Sequence, residues 1–228
     1  MATYICNEYM QQPKNNIIAF LLFVGLVLSC ALLLFSLYPT DELFLAINSI
    51  HTSWLDVLMP YITILGDGTT AIVLGIILLL IIKDKRLGIG ILLAYALSGI
   101  TVQLLKRMVF TNHQRPWVQY QLSPDLHTVM GYQLYSNNSF PSGHTTTAFV
   151  VAGLLILIYN KSWLNALLAV LAVAVAWSRI YLAQHYFTDV FAGFVLGCLF
   201  AFIVYYGLYI HQNRFANYLR YFKRKQKS

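Results

Sequence analysis

Two histidines, an aspartate and two arginines stand out in a chain of 228 residues that is 59% hydrophobic and only 10% charged. They fall in three short stretches: Arg115-Pro116, then Pro141-Ser142-Gly143-His144, then Ser178-Arg179 followed by His185 and Asp189. Ionisable groups in or beside a bilayer are costly and usually mark function. His185 and Asp189 are four apart, so on a helix they share a face. An aspartate there can accept a hydrogen bond from one ring nitrogen, fix the tautomer and leave the other nitrogen free to attack. Arg179 adds a planar, permanently charged fork suited to phosphate. A lone His-x3-Asp is more often a structural hydrogen bond; with Arg179 six residues upstream, it reads as phosphoryl chemistry.

The other two stretches fit the same chemistry. Ser142 is a good N-cap, and Gly143 lets the backbone approach a ligand closely. The free N–H groups of that first turn, with the helix dipole, make an anion site. His144 stands there to exchange a proton with a phosphate oxygen. Taken alone, this stretch is equally a capped helix with a polar first turn. Arg115 reads as a second phosphate clamp, with Pro116 stiffening the chain. Upstream, Lys106 and Arg107 either neutralise charge or snorkel to the interface.

The elements that must hold these groups are membrane spans. Apolar runs of spanning length, about 20 residues, recur at 17–38, 69–82, 87–109, 143–159, 163–182 and 190–210. The run 69–82 is short; it can borrow residues 61–65 across the Gly66-Asp67-Gly68 turn, or let Lys83 snorkel. A soluble helical protein is excluded because too few polar residues remain to cover a surface. The run 17–38 is longer than a signal core and no small-x-small site follows Tyr38, so it reads as an uncleaved span. Residues 41–60 place Leu43, Phe44, Ile47, Ile50, Trp54, Leu55 and Leu58 at amphipathic helical spacing, expected along the outer interface as a connector or lid. The longest connection, 110–140, links the first two stretches and reads as functional. Asn137-Asn138-Ser139 fits a glycosylation sequon, but a glycan there would crowd the site. Cys6, Cys30 and Cys198 form no disulfide or metal pattern; Cys30 and Cys198 read as packing residues.

Charge sets the orientation. Of 15 Lys and Arg, only Lys106, Arg107, Arg115 and Arg179 fall on the side of the three stretches. The rest lie on the other side, which predicts cytoplasmic termini and an outward-facing site. The domains are then a cytoplasmic N-terminus (1–16), a six-span unit (17–210) and a basic tail (211–228). The net charge of +7 reads as topology and a lipid-facing tail, with no basic aromatic face for nucleic acid.

These residues resemble the type 2 phosphatidic acid phosphatases, whose pattern is Lys-x6-Arg-Pro, Pro-Ser-Gly-His and Ser-Arg-x5-His-x3-Asp. The second and third blocks match without a gap, and the resemblance spans roughly residues 41 to 210. The first departs: Lys106 and Arg107 lie two and one positions too far from Arg115. Lys106 is the expected counterpart of the family lysine, with Arg107 or His113 as alternatives, and the third span must extend or loop out. The resemblance implies an all-α integral membrane protein, a six-helix bundle with an outer active site. It implies a covalent mechanism in which His185 is the nucleophile, Asp189 orients it, and His144 is the acid and then the base. Arg115, Arg179, Lys106, Ser142 and Gly143 would hold the phosphate oxygens. No acidic cluster could hold magnesium or zinc, so hydrolysis without metal or cofactor is expected. The expected partner is a lipid phosphate in a bacterial inner membrane, undecaprenyl diphosphate first. Phosphatidylglycerophosphate, phosphatidic acid and lipid A phosphate are competitors. A lipid phosphotransferase and a non-enzymatic lipid-binding or transport protein are the readings from other classes. The related vanadium haloperoxidases are excluded by the six spans.

Overall fold

The computed structural model describes residues 2–159 and 161–211, with side chains for all of these except 2–14, 40 and 41. The tail beyond His211 and the side chain of Cys6 lie outside the described residues. The elements are α1 (Ala2–Leu37), α2 (Thr40–Asn48), α3 (Ser53–Ile64), α4 (Gly68–Ile81), α5 (Arg86–Leu104), α6 (Pro116–Tyr120), α7 (Gly143–Tyr159), α8 (Ser162–Tyr181) and α9 (Phe187–Tyr205). Helices α5 and α9 run on into π turns at Leu105–Val109 and Tyr206–His211.

Four stretches are long and apolar enough to cross a bilayer: Asn15–Leu37, Arg86–Val109, Ser162–Tyr181 and Phe187–His211. Large exposed side chains such as Leu22, Leu80 and Val170 are apolar, as a lipid-facing surface requires. The chain is a multi-pass membrane protein. The expected span at 69–82 does not stand alone. Helix α4 passes the length test only together with α3, and the two are bent by 53° where they meet. Helix α7 has 17 residues, about 25 Å of helix, and is the central, most enclosed element.

The single interfacial helix expected over 41–60 is not formed. Residues 49–52 break it into α2 and α3. At the break Asn48, the last residue of α2, is buried, and its Nδ2 donates to the carbonyls of Ile180 (3.2 Å) and Tyr181 (3.0 Å) at the end of α8. The apolar spacing belongs to two separate faces, Leu43 and Phe44 on α2, Leu55 and Met59 on α3. Trp54 is exposed, as an interfacial anchor would be. Of the described cysteines, Cys198 is buried and Cys30 is exposed on α1.

Helix α7 meets α9 at very short range. A β-carbon on Gly193 would come within 2.7 Å of the Ser142 carbonyl oxygen, and one on Gly197 within 2.7 Å of the Phe149 Cβ. Small residues at such crossings let backbones approach. The approach has a consequence for chemistry, because the Ser142 N–H reaches the Asp189 carbonyl at 3.0 Å. The second and third sequence stretches are thereby locked together.

Candidate active site

His185 sits in the turn between α8 and α9 and is 1% exposed. Its Nδ1 lies 3.3 Å from Asp189 Oδ2. Asp189 occupies the first turn of α9, where the helix dipole favours a carboxylate. The same Oδ2 accepts from the Tyr186 N–H at 3.0 Å and from the Ser139 hydroxyl. The ring is therefore held by one nitrogen. The other, Nε2, faces Arg115 Nη1 at 3.4 Å. Burial, then the charges of Arg115, Arg179 and Lys106, hold the His185 imidazole well below the usual histidine range. It is neutral at physiological pH, the form a nucleophile needs.

Three cations surround this ring. Arg115 Nη1 donates to the Gln184 carbonyl (3.1 Å) and side-chain oxygen (2.8 Å), and its Nε to the Asn137 carbonyl (3.0 Å). Burial and the neighbouring Arg179 pull its guanidinium down to about 10. Arg179 Nη1 donates to Thr63 Oγ1 (2.7 Å) and to the Tyr132 hydroxyl (3.1 Å), while its buried Nε has no protein partner. Lys106 is buried and donates to the Asn138 carbonyl at 2.8 Å. Arg107 and His113 are exposed. Lys106 and Arg107 lie in the π turn at Leu105–Val109, which takes one residue more than an α turn. Within it Lys106 is buried and Arg107 is exposed.

His144, in the first turn of α7, is the less enclosed histidine, its side chain 32% exposed. Its Nε2 lies 3.6 Å from Asp67 Oδ2. The Ser142 hydroxyl is buried and accepts from Thr145 Oγ1 at 2.9 Å, which leaves its own proton free to donate. At Gly143 a β-carbon would meet only Val102, at 3.9 Å. Protein packing does not demand that glycine; a ligand against the backbone would. Among the described residues, no three His, Cys, Asp or Glu side chains form a group that could hold a metal.

The model of the PAP2 superfamily matches residues 87–212. The chain belongs to the PAP2 superfamily. Phosphatidylglycerophosphatase B of Bacillus subtilis is 30% identical over 167 residues, covering 68% of this chain and 76% of that one. YbjG of Escherichia coli, provisionally named an undecaprenyl-diphosphatase, is 38% identical over 98 residues, 40% of this chain and 44%, less than half, of YbjG. The crystal structure of Aquifex aeolicus LpxE superposes with a TM-score of 0.61 at 32% identity, covering 72% of this chain and 92% of LpxE. This PAP2 protein is a phosphate-ester hydrolase of the lipid phosphatase kind.

Of the eight residues expected from the PAP2 blocks, Lys106, Arg115, Arg179 and Asp189 lie about His185, Ser142 is tied to Asp189, and Gly143 and His144 follow it into α7. Several of their partners were not foreseen. Ser139 reads in the sequence as the end of a sequon; its buried hydroxyl instead bonds Asp189. Thr63 and Tyr132 brace Arg179 from α3 and from the long connection. Gln184 braces Arg115, and its place next to His185 was the one available hint. The 110–140 connection is well anchored: His127 Nε2 pairs with Asp56 Oδ1 at 2.7 Å, its ring stacks on His51, and its N–H bonds Asn48 Oδ1 at 2.8 Å.

Proposed function

We propose that this PAP2 protein removes a terminal phosphate from a lipid phosphate or diphosphate at the outer membrane face through a phosphohistidine. One observation carries the reading. Among the described residues, the buried charged side chains are Lys106, Arg115, Arg179 and Asp189. Three cations against one carboxylate leave an excess that a dianionic phosphate would neutralise; unpaired buried charge is otherwise expensive.

His185 Nε2 attacks phosphorus, and the bond from phosphorus to the lipid oxygen breaks as His144 gives that oxygen a proton. Asp189 holds the attacking ring. Water then attacks the phosphohistidine, His144 takes its proton, and the P–N bond breaks to free phosphate. Arg115, Arg179, Lys106, the Ser142 hydroxyl and the Gly143 amide hold the equatorial oxygens, where charge stabilisation is the main task. The charge is met by side chains, so no metal or cofactor is assigned a step.

The chain crosses the membrane six times in this reading, through α1, the α3–α4 pair, α5, α7, α8 and α9, with both termini cytoplasmic. The basic-residue asymmetry supports that orientation. An impermeant thiol reagent should label single cysteines placed at Trp117 or Tyr120 in intact cells. Labelling of Lys225→Cys in their stead would reverse the orientation.

Undecaprenyl diphosphate is the first substrate assigned, supported by the name of YbjG. Phosphatidylglycerophosphate is the second, supported by the relative matched over 76% of its length. Phosphate release by the purified protein from both, and from phosphatidic acid and lipid A, with and without chelator, tests the reading. Release from none of them refutes it; loss of release with chelator refutes metal independence.

A further inference from the structure

We propose that Asp67 is the positioning partner of His144, so that the site works with two histidine–aspartate pairs. The proposal rests on His144 being the proton donor and acceptor of the reading above. Asp67 lies at the bend between α3 and α4. It caps α4 with one oxygen only: Oδ1 accepts from the Thr69 N–H at 2.8 Å and from Thr69 Oγ1 at 2.7 Å. The other oxygen, Oδ2, is the one that faces His144 Nε2 at 3.6 Å. In sites without substrate such contacts are often long and tighten on binding.

Capping alone does not explain this residue, whose side chain is 41% exposed. Ser, Thr or Asn caps a helix as well as Asp, but none of them would set a negative charge beside His144. The break is also pressed onto the acid. A β-carbon on Gly66 would meet the His144 carbonyl oxygen at 2.6 Å, and one on Gly68 the Tyr95 hydroxyl at 2.1 Å. Two glycines thus let the bend sit against the first turn of α7 on one side and against α5 on the other. A cavity of about 170 Å3 opens there, lined among others by Gly66, Gly68, Tyr95, Gln103 and His144. It gives the leaving oxygen, and later the water, a place beside His144.

The chemistry assigns Asp67 its task. His144 alternates between imidazolium, before it protonates the lipid oxygen, and imidazole, before it takes a proton from water. A carboxylate 3.6 Å from Nε2 favours the imidazolium and fixes the ring through that nitrogen, which leaves Nδ1 to pass the proton. Asp67 touches no reacting atom.

The test uses purified full-length protein, with Asp67→Asn, Asp67→Glu and His144→Ala as variants. Asparagine keeps the helix cap. Each is assayed on phosphatidic acid, whose alkoxide needs a proton to leave, and on p-nitrophenyl phosphate, whose phenolate does not. General acid catalysis contributes roughly 100-fold or more. For Asp67→Asn we expect kcat/KM on phosphatidic acid to fall about 100-fold. On p-nitrophenyl phosphate it should fall by less than about 5-fold, the same asymmetry as His144→Ala. Asp67→Glu should recover part of the lost rate on phosphatidic acid alone. Equal losses on both esters, or none on either, would overturn the role of Asp67 and leave the phosphatase reading standing. A wild-type protein that releases phosphate from none of the four lipids above and not from p-nitrophenyl phosphate would overturn that reading, and this proposal with it.

Discussion

The two histidines of the site live in opposite surroundings. His185 is sealed, 1% exposed, and paired with a carboxylate four residues away on the same stretch of chain. His144 is about a third exposed on a cavity, and its neighbouring carboxylate, Asp67, comes from another helix pair 77 positions upstream. The difference follows from their proposed tasks. A nucleophile needs one fixed tautomer and no competing water, which burial supplies. A group that passes a proton to a departing lipid and then takes one from water needs an opening. Arg115 and Arg179 are both braced by side chains of the protein, and the buried Arg179 Nε is left without a protein partner.

The sharpest way to break the comparison is to remove the sealed histidine. His185→Ala should lower kcat by about 10^4-fold or more, as loss of a nucleophile does, while the protein remains folded and membrane-inserted. Turnover near wild type would end the phosphohistidine mechanism. Asp189→Asn should be damaged less, about 10^3-fold, because the nucleophile remains but its orientation and charge partner are lost.

The cations rank next. Arg115→Ala should cost about 10^2- to 10^3-fold in kcat/KM, the scale of a lost oxyanion donor. Lys106→Ala should cost about 10-fold, roughly one charge-assisted contact. Arg107→Ala, an exposed residue, should change little. If Arg107→Ala matched Lys106→Ala, the inward turn of the π segment would not matter for phosphate.

Two smaller effects probe the sealed side. Ser139→Ala removes a hydrogen bond to Asp189; a bond to a charged group is worth about 1.5–3 kcal/mol, so kcat should fall about 10-fold or somewhat more. No change would make that contact ornamental. The pH dependence of stability is the mildest. Since burial holds His185 below its ordinary value of 6.5, the unfolded chain takes up a proton that the native site refuses. The stability from a neutral His185 is whole above pH 6.5 and is lost as pH falls below it. Thermal unfolding in detergent should therefore fall more steeply between about pH 7 and 5 for wild type than for His185→Ala. Parallel curves would contradict the depressed value.

What the residues reveal unaided is whatever is local. His185, Asp189 and Arg179 are legible from their types and close spacing, and His144 because it opens a helix, but the helical face expected for the pair is not what joins it: His185 lies in the turn before α9 and Asp189 reaches it from the first turn of that helix. The apolar runs declare a membrane protein since hydrocarbon demands them. The break of α2 from α3 was not legible; at it Asn48 reaches carbonyls at the far end of α8. Nor could any pattern show that Lys106 turns inward and Arg107 outward, that Ser139 bonds Asp189, or that Thr63 braces Arg179. Asp67 beside His144 is the plainest case. Its neighbours Gly66 and Gly68 mark a turn, and a turn is all the sequence states. That the turn is pressed against α7 is decided by the packing of α4, α5 and α7. Such contacts join residues far apart in the chain, and their geometry exists only once the helices have packed.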